Sequence, residues 1–94
     1  MGKEDQPVAR VLIYCTATCP YCQSADRLLA RKGVTDVERV RVDLEPARRR
    51  EMVEKSGRRT VPQIWIGGRH VGGSDELHDL EDSGQLDQLL LKAP

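Results

Sequence analysis

Two cysteines with two residues between them, Cys19-Pro20-Tyr21-Cys22, stand where an apolar β-type run gives way to helical spacing. Upstream, Val8-Ala9-Arg10-Val11-Leu12-Ile13-Tyr14 is short and rich in β-branched residues, the mark of a buried strand, and it stops at the polar Thr16 and Thr18. Downstream from Pro20, residues Cys22, Ala25, Leu28 and Leu29 share one helical stripe, and Gly33 supplies a stop. Cys19 therefore falls at a helix N-terminus, where unpaired backbone N–H groups and the helix dipole favour a thiolate over a thiol. Pro20 suits the first helical position, because its missing N–H costs nothing there. Cys22 comes round to the same face, so its sulfur can attack a mixed disulfide held on Cys19. A constrained disulfide between them should be easier to reduce than a structural one.

The remaining elements follow from the same kinds of signal. Val37, Val40 and Val42 mark a second strand ending at Asp43, and Leu44-Glu45-Pro46 opens a charged helix running to about Lys55-Ser56. These complete a right-handed βαβ unit. Thr60-Val61-Pro62-Gln63-Ile64-Trp65-Ile66 reads as a third strand, and Gly67-Gly68 as a two-residue hairpin leading to a short antiparallel fourth at Arg69-His70-Val71. Gly72-Gly73 breaks the sheet, Ser74 or Asp75 is placed to cap a helix with Leu77 and Leu80 on its apolar face, and Leu86, Leu89 and Leu90 form a last helix. The order βαβαββαα, a four-stranded mixed sheet flanked by helices on both faces, is an α/β thioredoxin-like architecture.

At 94 residues one small domain is expected, taken as residues 9–94 behind a polar, flexible tail over residues 1–8. Lysine plus arginine equals aspartate plus glutamate at 15 each, so no overall field points toward nucleic acid or a membrane surface, and with 3% aromatics base stacking is poorly supported. The start has no apolar stretch of a secretory signal, no run approaches the roughly 20 apolar residues of a membrane span, and Gln6 stands where N-myristoylation after Gly2 wants Ser or Thr. A cytoplasmic location is expected.

Three cysteines are too few for a disulfide scaffold and suit a redox or metal site in a reducing compartment. Tetrahedral zinc needs four ligands, and the further candidates Cys15, His70 and His78 lack a second paired spacing, so no metal is expected. Cys15 reads as a small buried hydrophobe, His70 and His78 as surface residues, and Trp65 as packing. Arg48-Arg49-Arg50, among Glu45, Glu51 and Glu54, reads as a solvated helix face.

Cys19-Pro20-Tyr21-Cys22, Thr60-Val61-Pro62 and Gly72-Gly73-Ser74-Asp75 stand in the order found in dithiol glutaredoxins, which the chain resembles from about residue 9 to residue 91. Thioredoxins share the fold but usually carry W-C-G-P-C and a longer N-terminal portion. The resemblance implies a thiol–disulfide oxidoreductase with Cys19 as nucleophile, Cys22 as resolving thiol and glutathione as reductant and co-substrate. It implies a glutathione site made by Tyr21, Arg59, Thr60, Val61, Pro62, Gly73, Ser74 and Asp75. Pro62 is expected to be cis, leaving the Val61 backbone free to pair with glutathione as an added strand. The N–H groups of Gly73, Ser74 and Asp75 would hold the γ-glutamyl carboxylate and the Asp75 side chain its ammonium.

Many glutaredoxins carry a lysine where Thr16 stands, and Arg59 is the candidate to meet the glycyl carboxylate instead. The implied partners are glutathione, disulfide-containing or glutathionylated proteins and, through glutathione alone, glutathione reductase, with the protein itself a monomer. One rival is a glutathione-ligated [2Fe–2S] carrier, against which Pro20 argues, since cluster-binding relatives usually have Gly or Ser there. Another is a carrier supplied by thioredoxin reductase, against which the glutathione-site residues argue.

Overall fold

The structure is a computed structural model that describes residues 9–91, so the expected tail over residues 1–8 and the last residues, 92–94, lie outside the described residues. Strand β1 (Val11–Cys15) pairs parallel with β2 (Val37–Arg41) and antiparallel with β3 (Gln63–Ile66), and β3 carries β4 (Arg69–Gly72) antiparallel. The sheet order is β2-β1-β3-β4, with helices α1 (Pro20–Arg31), α2 (Pro46–Ser56), α3 (Ser74–Asp82) and α4 (Leu86–Leu91). The chain is thus the mixed four-stranded thioredoxin-like fold that its element order implies. No helix among the described residues is long and apolar enough to cross a membrane.

Alternation along β1 divides the core in two. Val11, Ile13 and Cys15 pack with Cys22, Ala25, Leu28 and Leu29 of α1, Leu77 of α3, and Leu86 and Leu90 of α4. Tyr14 belongs to the other face, with Val40, Val42 and Trp65 beneath Met52 of α2, and Leu12 packs there in part. Tyr14 is fully enclosed, and its hydroxyl is satisfied by donating to Glu51 and accepting from Lys55 Nζ at 3.3 Å. Trp65 meets the Tyr14 ring edge-on at 5.3 Å, so the two aromatic side chains share one polar-capped cluster.

Element boundaries depart from the sequence expectations where tertiary pairing decides them. The first strand begins at Val11, because its partner β3 ends opposite at Ile66 and turns away, Gly67 N donating to the Arg10 carbonyl at 2.8 Å. Gly67 and Gly68 take φ of +59° and +83°, the left-handed pair that a tight two-residue hairpin requires. The third strand begins at Gln63 instead of Thr60, since Pro62 has no N–H to give to a ladder, and the Val61–Pro62 bond is cis. The cap of α3 is Gly73, with Ser74 already helical. Here Glu76 Oε1 reaches back to accept from Gly73 N at 2.7 Å, so a carboxylate three residues inside the helix satisfies the N-terminus.

Leu28 is 1% exposed at the centre of the larger cluster and Leu44 is 67% exposed before α2. Leu28→Ala should cost about 2–5 kcal/mol, and Leu44→Ala no more than about 0.5 kcal/mol, read from urea midpoints of the two variants.

Candidate active site

Cys19 is the N-cap of α1, with an extended backbone (φ −92°, ψ 115°) and Pro20 as the first helical residue. Its Sγ accepts from Cys22 N at 3.4 Å and its carbonyl from Gln23 N at 3.0 Å, so sulfur occupies the place that a Ser or Asp oxygen usually takes at a helix start. The residue is half-buried, and its thiol points to the Val61 carbonyl at 3.8 Å. Cys22, 3% exposed, belongs to the large apolar cluster. Burial pushes its thiol up to about 12, the neighbouring Cys19 adding to the effect and a backbone hydrogen bond from Thr16 opposing it. Cys15 is buried in the same cluster, and desolvation raises its thiol too. All three cysteines are free, but they are not equivalent: one sulfur sits at a helix end on the rim, and two hold their protons inside.

A groove of about 290 Å³ runs beside the junction, walled by Tyr21 on one side, Thr60, Val61 and Pro62 on another, and the start of α3 with Gly73, Ser74 and Asp75. Seven of the eight residues expected around a ligand there are thus brought together. Arg59 is not. It is exposed, its carbonyl accepts from Arg49 Nη2 at 3.3 Å, and its neighbour Arg58 lines the groove instead. Thr16, half-buried, puts no charge at the end of β1.

Arg58 Nη1 lies 3.4 Å from Glu76 Oε1, a second groove residue that sequence reasoning missed, although a glutamate three residues after Gly73, itself a fair N-cap type, was a usable signal. The backbone bond from Gly73, with Arg58 assisting, holds the Glu76 carboxyl below its ordinary range. Gly73 N–H is therefore already taken by the chain itself. The N–H groups of Ser74 and Asp75, in the first turn, have no intrahelical partner. A Cβ on Gly73 would come within 3.2 Å of the Pro62 carbonyl, so the third wall approaches the second as closely as glycine allows.

The two histidines are half-buried rather than free on the surface, because each finds a partner across an element boundary. His78 Nδ1 lies 2.8 Å from the Ser74 carbonyl and its Nε2 3.4 Å from Ser24 Oγ, joining the start of α3 to α1. His70 stacks on Trp65 at 4.5 Å and reaches Gln63 Oε1 at 2.8 Å. Among the described residues no group of three or more His, Cys, Asp or Glu side chains converges on a point where a metal ion could sit.

A mixed sheet whose first strand feeds a dithiol at a helix N-terminus, facing a proline loop, defines a thiol oxidoreductase on the thioredoxin fold. A glutaredoxin family model matches residues 11–71. The chain is 56% identical over 80 residues to the glutaredoxin of Pseudomonas aeruginosa, covering 85% of this chain and 94% of that one. It is 49% identical over 83 residues to glutaredoxin 3 of Escherichia coli K12, covering 88% and 99%. Among solved structures it is similar to a glutaredoxin from Brucella melitensis (TM-score 0.79, 50% identity, 89% and 90% covered). It is also similar to a buckwheat glutaredoxin–glutathione complex (TM-score 0.81, 28% identity, 95% and 84% covered). The chain belongs to the glutaredoxin family and is a thiol–disulfide oxidoreductase.

The raised Cys22 thiol carries a stability consequence whose sign is fixed. The unfolded chain releases this proton near 9 while the folded chain keeps it to about 12, so stability is full below 9 and is lost as pH rises through that interval. Urea midpoints of the reduced protein should fall between pH 9 and about 12 more steeply than those of Cys22→Ala, and parallel slopes would contradict the assignment.

Proposed function

We propose that this glutaredoxin draws its electrons from glutathione and reduces both protein disulfides and protein–glutathione mixed disulfides, in the cytoplasm, where free thiols persist. The observation that carries the reading is the inequality of the two sulfurs: Cys19 open at the helix end, Cys22 enclosed and holding its proton. In deglutathionylation, the Cys19 thiolate attacks the glutathionyl sulfur and the target's sulfur leaves with the bond's electron pair, taking up a proton. A second glutathione thiolate then attacks the mixed disulfide on Cys19, giving oxidised glutathione and restoring the Cys19 thiolate. In reduction of a protein disulfide, Cys19 forms the mixed disulfide with the target. Cys22, once deprotonated, attacks the Cys19 sulfur, frees the target dithiol and leaves a Cys19–Cys22 disulfide for two glutathiones to reduce.

Support for glutathione as the ligand comes from the groove. Val61 offers a backbone edge beside Cys19 Sγ, Ser74 and Asp75 offer N–H groups for a carboxylate, Asp75 offers a charge for an ammonium, and Arg58, paired with Glu76, offers a cation in the groove. The related buckwheat protein was solved as a complex with glutathione. The [2Fe–2S] reading is opposed by Pro20 at the first turn of α1, and a featureless visible spectrum of anaerobically purified protein is expected.

Cys19→Ser should abolish both activities, whereas Cys22→Ser should keep substantial deglutathionylation and lose most dithiol-dependent disulfide reduction, assayed side by side with a glutathionylated peptide and a protein disulfide. Activity in Cys19→Ser combined with a dead Cys22→Ser would reverse the roles. Asp75→Ala should raise the KM for a glutathionylated peptide by about tenfold, the loss of one charge-assisted bond, with the urea midpoint unmoved. An unchanged KM would remove Asp75 from the site.

A further inference from the structure

Gln63, the first residue of β3, is completely enclosed at 0% exposure, yet every polar atom of its amide is used. Nε2 donates to the Thr60 carbonyl at 3.0 Å and to Thr60 Oγ1 at 3.2 Å, and Oε1 faces His70 Nε2 at 2.8 Å. The orientation is dictated by chemistry. A carbonyl can only accept, so the amide nitrogen must face Thr60, its oxygen must face His70, and His70 must carry a proton on Nε2. His70 is itself fixed, opposite Trp65 in the β3–β4 ladder with its ring stacked on the indole.

What this chain of contacts holds is the part of the site that the sheet does not. The ladder ends at Gln63, and Pro62 contributes no N–H, so no strand pairing restrains Thr60 and Val61. Yet these two residues wall the groove, and the Val61 carbonyl lies 3.8 Å from Cys19 Sγ.

We propose that Gln63, oriented by His70 from the neighbouring strand, is a positioning residue that fixes the Thr60–Val61 backbone at the spacing from Cys19 at which the glutathione backbone lies down as an added strand. The inference rests on the reading of the groove as a glutathione site. It assigns to two side chains outside the groove a part in its affinity for the glutathione moiety, separate from the reactivity of the sulfur.

The test uses Gln63→Met, which keeps the side-chain length and removes all three bonds, and His70→Phe, which keeps a ring on Trp65 and removes the donor to Oε1. Each folded variant is compared with the unsubstituted protein on a glutathionylated peptide and on the same peptide carrying cysteamine in the mixed disulfide, with iodoacetamide alkylation of Cys19 as a probe that needs no docked strand. The KM for the glutathionylated peptide is expected to rise about tenfold in Gln63→Met and about threefold in His70→Phe. The kcat and the alkylation rate should stay within about twofold, as expected when only docking is lost. If KM is unchanged in both variants, or if KM, kcat and alkylation deteriorate together, Gln63 is a structural residue of the β3–β4 hairpin and the inference is wrong. Should Gln63→Met fail to fold, the same criteria applied to His70→Phe decide. If the unsubstituted protein itself does not prefer the glutathionylated peptide over the cysteamine peptide, the glutathione reading falls and takes this inference with it. A preference that Gln63→Met leaves intact overturns the inference alone.

Discussion

The antiparallel pairing of β1 with β3 sets the place of every chemical group in this protein. Tyr14 lies opposite Gln63 in that ladder, and beyond this pair the two strands part at the same end of the sheet, β1 running on through Cys15 toward Cys19 and β3 entered through Pro62. Cys19 and Val61, separated by 42 residues, are thereby brought to 3.8 Å. The hairpin through Gly67-Gly68 then returns β4 to that end, so Gly72-Gly73 and the start of α3 close the third side. Closing so long a loop has an entropic cost that local contacts at the site could not offset. The offset comes from the two apolar clusters on either face of β1 and β3, and the geometry at the sheet's edge is a by-product of their packing.

The same packing determines which sulfur is which. Helical geometry alone would set Cys19 and Cys22 on one face with similar surroundings, but α1 lies on the sheet with Cys22, Ala25, Leu28 and Leu29 inward. Cys22 is thus drawn into the core that stabilises the domain, while Cys19, as the cap, stays at its margin. Any change that loosened α1 from the sheet would weaken the core and lessen the difference between the sulfurs at once, because both follow from desolvation of one helix face.

Much of this was legible in the sequence because it is local. Pro20 and Pro46 mark helix starts, Gly67-Gly68 marks the hairpin, and the stripe Cys22, Ala25, Leu28, Leu29 marks the buried face of α1; the structure reproduces all four. What was not legible is phase and partnership. Arg58 and Arg59 are adjacent in an irregular segment, and which of the two enters the groove depends on the backbone dihedrals there, which composition does not encode. Ser74 and Asp75 are good capping residues by type, yet Gly73 takes the cap because Glu76 supplies the acceptor from within the helix. Gln63 and the two histidines looked unremarkable in sequence because their partners lie across a turn or on another helix. A polar side chain enclosed in a core is a statement about its neighbours, and neighbours of this kind appear only when the sheet has formed.

The absence of a cation at Thr16 has a physical meaning in the light of Arg58. A lysine at the end of β1 would stand close to the sulfur and act on it and on any bound anion together. Arg58 instead lies on the groove wall paired with Glu76, so the positive charge is tied to the start of α3 through the carboxylate that also caps Gly73. Movement of the α3 terminus would move Glu76, and with it the partner that orients Arg58. The arginine is half exposed, so solvent and salt screen its field over roughly 8 Å at physiological ionic strength, and that field acts on the groove it lines, while burial and its near neighbours govern the enclosed Cys22 thiol. In this protein the charge that lines the groove and the burial that governs the Cys22 sulfur are therefore supplied by different elements, α3 with the segment before Thr60 for the first and α1 on the sheet for the second. A substitution in one can alter affinity without altering the chemistry of the other.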